Sequence, residues 1–82
     1  MAKIEIFSGS NCQYCEQAKA FLKQNEFEFI EYDIAKPAYL QAFQERLPRT
    51  KTIPQIFVND EHIGNDEDLR LLIQKGQLAG SR

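Results

Sequence analysis

Apolar and polar residues alternate from Lys3 to Phe7, with Ile4 and Ile6 sharing one face, and this period of two predicts a short β-strand. The polar stretch "SGSN", Ser8–Asn11, interrupts it. From Tyr14 onward the apolar positions Ala18, Phe21 and Leu22 recur at helical spacing, and polar "KQNE" marks the exit. Phe27–Ile34 alternates again, with a slip at Ile30, and predicts a second strand. Pro37 suits the first turn of a helix whose stripe of Tyr39, Leu40, Phe43 and Leu47 runs until Pro48 stops it. Gln55–Val58 reads as a third strand, "NDE" as a turn and "HIG" as a short fourth strand. Leu69, Leu72 and Ile73 mark a last helix that Gly76 closes, and the terminal "AGSR" reads as a frayed tail. The predicted order is β-α-β-α-β-β-α, an α/β chain.

Length adds one constraint: 82 residues, 1–82, suffice for a single domain with one core and leave no room for a second. The hydrophobic fraction of 43%, with 10 basic and 12 acidic side chains and a formal charge of −2, describes a folded globular protein rather than a disordered one. Such a balance offers no basic surface for nucleic acid or an anionic membrane. "MAKIEIF" lacks the apolar run and small-residue cleavage site of a secretory leader, and no stretch approaches the ~20 apolar residues of a membrane span. The expectation is a cytoplasmic monomer whose two cysteines sit in a reducing compartment, where a close Cys pair more often signals redox chemistry or metal than a structural disulfide.

Those cysteines, Cys12 and Cys15, stand where the polar loop gives way to the first helix. A thiolate is the nucleophilic form of cysteine, and an isolated thiol is mostly protonated at neutral pH. A helix N-terminus, with unsatisfied N–H groups and the positive end of the macrodipole, favours the anion at Cys12. Cys15 lies one turn on, about 5–6 Å away and within disulfide range. The arrangement suits a reversible dithiol couple in which Cys12 attacks and Cys15 resolves. Two competing readings are a pair of buried apolar thiols and a zinc site; the latter wants four ligands, and His62 is the one other soft candidate.

The succession of a strand, "CQYC", a helix, "TIPQIFVNDEHIG", "DEDL" and a final "KGQL" resembles the glutaredoxins, the small glutathione-dependent branch of the thioredoxin-like fold, over nearly the whole chain. The resemblance implies a four-stranded mixed sheet with three helices. It makes Cys12 the nucleophile, Cys15 the resolving cysteine and Tyr14 the aromatic beside the site. Thr52, Ile53 and Pro54 match the family's "TVP" loop, whose proline is cis in this fold, although the default for an X–Pro bond is trans. Such a turn leaves the backbone of Ile53 free to pair with an extended substrate segment. "GNDEDL" matches a Gly-Gly-X-X-Asp stretch that holds the γ-glutamyl end of glutathione, which assigns Asp66 and Glu67 to binding with Asp68 in support. A carboxylate at a helix N-terminus also serves simply as a cap.

Two positions depart from the family pattern. Asn65 replaces the second glycine, tolerates positive φ and brings a side chain toward the ligand. Gly9 stands where many members carry Lys or Arg, so Arg49 or Lys51 becomes the candidate cation for a glycyl carboxylate, a solvated basic face being the plainer account of both. His62 reads as a structural residue of the hairpin, and Phe27, Phe29, Tyr39 and Phe43 as core.

The function implied is an enzyme, a dithiol glutaredoxin that reduces protein disulfides and glutathione mixed disulfides with glutathione as co-substrate. Ribonucleotide reductase is a common client of the family. Alternatives are a glutaredoxin-like electron donor recharged by thioredoxin reductase, a carrier of a glutathione-ligated [2Fe–2S] cluster held by Cys12 from each of two protomers, and a structural domain with an incidental Cys pair.

Overall fold

The computed structural model describes residues 3–76. Its elements run in the expected order: β1 Ile4–Ser8, α1 Gln13–Gln24, β2 Ile30–Asp33, α2 Pro37–Arg46, β3 Gln55–Val58, β4 Glu61–Gly64 and α3 Asp66–Gln74. The sheet order is β2-β1-β3-β4, with β1 parallel to β2 and antiparallel to β3, and β3 antiparallel to β4. The tail "AGSR" and the last two letters of "KGQL" lie outside the described residues.

β1 is central and covered on both faces, so all five of its residues are buried. Ile4 and Ile6 pack with Ala18, Leu22, Phe27, Ile56 and Leu69. Burying a side chain such as Leu22 or Leu69 completely contributes about 1.5–3 kcal/mol. Phe7 turns the other way and packs with Phe43 of α2 and Phe57 of β3. Glu5 shares that second face. Strand alternation alone would leave it in water, but it is 3% exposed beneath α2, and Arg46 Nη2 lies 3.3 Å from its carboxylate.

The second strand is shorter than the predicted Phe27–Ile34 because its first residues are still engaged in ending α1. Glu26 adopts φ 63°, its N–H donates to the Lys23 carbonyl at 3.0 Å, and the Phe27 N–H donates to the Leu22 carbonyl at 2.9 Å. This is a Schellman termination with Glu26 in the left-handed place that glycine more often takes. Leu22 and Phe27 both belong to the core, as that motif favours. In α2, Phe43 is buried while Tyr39 and Leu40 are exposed, so the helix offers the sheet a narrower stripe than its sequence suggests. Tyr39 is thus not a core residue; its ring meets that of Tyr32 at 5.1 Å between centroids. Asn59 and Asp60, both at positive φ, form the two-residue turn that joins β3 to β4.

Candidate active site

Cys12 is the N-cap of α1, extended at φ −114° and ψ 98°, and its Sγ accepts a hydrogen bond from the Cys15 N–H at 3.1 Å. Its carbonyl accepts from the Glu16 N–H and so opens the helix ladder. The sulfur thereby takes the place of the usual Ser or Asp side-chain oxygen, and the negative charge of a thiolate falls where the helix best accommodates it. Cys15, one turn on, is wholly buried, whereas Cys12 is partly accessible and Tyr14 between them is 61% exposed. The two sulfurs are joined in a disulfide, with Cα atoms 5.2 Å apart, so the structure describes the oxidised form.

The Ile53–Pro54 peptide is cis. The Ile53 carbonyl oxygen lies 3.9 Å from Cys12 Sγ, where it can accept the proton of a reduced Cys12 thiol. Gly9 also lies against the loop: a Cβ there would stand 2.8 Å from Ile53 Cδ1, the far end of that side chain, which would have to shift to admit it. The absent side chain lets Ile53 close over the loop ahead of the cysteines.

Beside this loop a groove of about 400 Å³ is lined by Tyr14, Thr52, Ile53, Asn65, Asp66 and Glu67. The structure therefore brings together residues from three separated segments. Arg49 and Lys51 are not among the lining residues; Lys51 borders a different cavity, between α2 and the loop that follows it.

Asn65 does not use the positive φ that its substitution for glycine suggests. It is extended, at φ −94°, and caps α3. Its Oδ1 accepts from the N–H groups of Glu67 at 3.0 Å and Asp68 at 3.2 Å, while Asp68 Oδ2 accepts from the Asn65 N–H at 3.1 Å. Three of the donors that a helix start would offer a ligand are thus met within the chain, leaving the Asp66 N–H. The position that requires glycine is Gly64, at φ 121°, where a Cβ would collide with the Asp68 carboxylate.

Charge around α1 anchors the helix rather than the sulfur. Lys19 reaches Glu31 on β2 at 2.8 Å and Glu16 at 2.9 Å, and the Ser8 hydroxyl donates to the same Glu31 carboxylate. The Glu31 hydrogen bond, then Glu16, raises Lys19 above its ordinary value against the opposing effect of burial, and Lys19 followed by Ser8 lowers Glu31. Among the described residues no group of three or more His, Cys, Asp and Glu side chains could hold a metal ion.

One residue of the site escaped sequence reasoning. Gln55, buried at the start of β3, bonds both to Thr52 and to His62. The signal was a polar side chain opening an otherwise apolar strand, directly after a proline.

A glutaredoxin family model matches residues 4–63, which include both cysteines and the Thr52–Pro54 loop. The chain belongs to the glutaredoxin family. It is 40% identical over 78 residues to a Synechocystis protein named "Probable glutaredoxin", covering 94% of this chain and 89% of that one. Glutaredoxin 3 of Escherichia coli is 39% identical over 79 residues, with 95% and 94% covered. Among solved structures, the glutaredoxin of Brucella melitensis superposes with a TM-score of 0.75 at 39% identity, over 95% of this chain and 85% of that one. This glutaredoxin, with its four-stranded mixed sheet, three helices and Cys12–Cys15 pair, is a thiol-disulfide oxidoreductase.

Proposed function

We propose that this glutaredoxin draws its electrons from glutathione and acts on protein disulfides and on glutathione mixed disulfides. The observation that carries the reading is the placement of the Cys12–Cys15 pair at the start of α1, 3.9 Å from the Ile53 carbonyl and beside a groove lined by Asp66 and Glu67. A γ-glutamyl group presents an ammonium and a carboxylate on one carbon. Asp66 and Glu67 complement the ammonium, and the Asp66 N–H at the first turn of α3 is the remaining donor for the carboxylate. In this reading Thr52, Ile53 and Pro54 supply the backbone edge along which the substrate lies.

The reaction balances over two exchanges. Cys12 thiolate attacks the substrate disulfide, forming one S–S bond and breaking another, and the leaving sulfur takes up a proton. With a glutathione mixed disulfide, the adduct on Cys12 is cleared by a second glutathione, which regenerates the Cys12 thiolate and yields glutathione disulfide. With a protein disulfide, Cys15 attacks Cys12 Sγ, releases the partner as a thiol and leaves the Cys12–Cys15 disulfide; two glutathione molecules then reduce it. Tyr14, exposed beside Cys12, gives the substrate an aromatic surface. Arg49 and Lys51 are left a peripheral part in glutathione binding, since the groove is lined by other residues. The same reading sets the protein, as a monomer, in the reducing cytoplasm, with enzymes such as ribonucleotide reductase in its substrate class.

A coupled assay with glutathione, glutathione reductase and a small glutathione mixed disulfide tests the proposal. Turnover dependent on both Cys12 and glutathione is the expected result. Absence of turnover, combined with reduction of a protein disulfide when thioredoxin reductase replaces glutathione, would transfer the assignment to the other electron source.

A further inference from the structure

The side chain of Gln55 has both ends of its amide engaged although it is only 6% exposed. Its Nε2 donates to the Thr52 carbonyl at 3.1 Å and the Thr52 Oγ1 at 3.2 Å, and its Oε1 lies 2.7 Å from His62 Nε2. A carbonyl can only accept, so the NH2 end must face Thr52 and the oxygen must face His62. His62 Nε2 therefore carries a proton and donates it, in the neutral ring as in the charged one. The imidazole is also packed against the Phe57 ring, with centroids 5.2 Å apart. A buried amide left with one end unmatched is costly, so each of the three groups holds the next.

The chain of bonds ends at the loop that faces the cysteines. Thr52 precedes Ile53, whose carbonyl oxygen stands 3.9 Å from Cys12 Sγ, and both residues line the groove. We propose that Gln55 and His62 are positioning residues: His62 fixes the orientation of the Gln55 amide, the amide pins Thr52, and the pinned loop presents the Ile53 backbone to substrate beside Cys12. This rests on the reading of the Thr52–Pro54 loop as the substrate-pairing edge. A register-holding role alone would leave His62 acting on its own hairpin, where it pairs with Phe57.

His62→Phe keeps an aromatic ring against Phe57 and removes the N–H donor, and His62→Gln restores a donor of similar reach. Three measurements separate positioning from general support. Solution NMR of the reduced protein follows the Gln55 side-chain amide and the Thr52 and Ile53 backbone amides without any substrate. Steady-state kinetics give kcat and KM, and iodoacetamide alkylation reports the intrinsic reactivity of Cys12. For His62→Phe, faster exchange of the Gln55 amide protons and shifted Thr52 and Ile53 signals are expected. KM for a small glutathione mixed disulfide should rise about 3- to 10-fold, the loss of one hydrogen bond's ordering, while kcat and the alkylation rate stay unchanged. His62→Gln should recover most of that KM.

Unchanged Thr52 and Ile53 signals overturn the proposal, as does an unchanged KM in spite of shifted signals. A fall in kcat or in the alkylation rate also overturns it, because the effect would then lie on the sulfur and not on the loop. If wild type itself fails to turn over the mixed disulfide with glutathione, the glutathione reading fails separately. KM for insulin disulfides, with dithiothreitol as reductant, then decides the same question.

Discussion

Replacing Cys15 by Ser divides the two half-reactions, and the structure gives the size of the division. The substitution leaves the Cys15 backbone N–H that donates to Cys12 Sγ at 3.1 Å, so the first attack should proceed at close to its normal rate. It removes the sulfur that resolves a protein adduct. In wild type that sulfur is held within bonding reach of Cys12, on Cα atoms 5.2 Å apart. Even an effective concentration of about 10 M, far below the ~10⁵ M attained by well-oriented groups, exceeds a ~1 mM glutathione solution about 10⁴-fold. That ratio corresponds to roughly 5.5 kcal/mol in the barrier to release. Cys15→Ser should therefore retain most mixed-disulfide turnover, which free glutathione completes, and lose at least about 100-fold in insulin reduction, allowing for the movement that buried Cys15 must make. A stable adduct with the protein substrate should be visible on a non-reducing gel. If Cys15→Ser abolishes mixed-disulfide turnover as completely as Cys12→Ser, the reasoning is refuted, because release by free glutathione is then not a competent step.

Further outcomes follow from other contacts. Reduced Cys12, capped by the Cys15 N–H, should be alkylated at pH 7 well before buried Cys15, as mass spectrometry of partly labelled protein would show; equal labelling would contradict the helix-end account. Asn65→Gly should lower stability by only about 0.5 kcal/mol while freeing the Glu67 and Asp68 N–H groups for a ligand carboxylate, so KM for a glutathione mixed disulfide should fall, and a rise would refute the assignment of that groove. Arg46→Met should cost about 2 kcal/mol, or about 8–16 °C in Tm, less than for a fully enclosed pair because Tyr32 still donates to Glu5 and Lys3 remains 4.0 Å away. Burial alone would raise Glu5 above its ordinary 4.5, but the Tyr32 hydroxyl, Arg46 and Lys3 outweigh it and hold the carboxyl lower. The wild-type contribution is therefore present above pH 4.5 and is lost as pH falls through the depressed value. Arg46→Met removes one of the groups that hold the carboxyl down, so thermal melts should show the variant's deficit shrinking as pH falls through 4.5 and Glu5 becomes protonated in both proteins; a deficit that grows on acidification would refute this.

The elements, their order and the sulfur chemistry were legible in the sequence because each depends on local pattern. Helical spacing after a polar loop places Cys12 at a helix start and Cys15 one turn later, and no distant residue is needed to see it. The match of "TIP" and "GNDEDL" to a known family located the rest of the groove. What the pattern could not supply was which faces are covered. Glu5 alternates like a solvent-facing residue, and only the central position of β1 beneath α2 makes it a buried anion that needs Arg46 and Tyr32. Gly9 read as a missing charge until Ile53, 44 positions away in the chain, was found to occupy the space over it. Asn65 read as a tolerant substitute for glycine, yet its side chain closes a capping box, a choice settled by backbone angles that the residue type permits but does not dictate. The Gln55 link between His62 and Thr52 exists only because the β3–β4 hairpin and the cis turn bring three separate backbone positions within hydrogen-bond reach. Periodicity is a property of neighbours along the chain and determines what forms; the partners of a buried polar group are neighbours in space, and the packing of the sheet against its helices decides them.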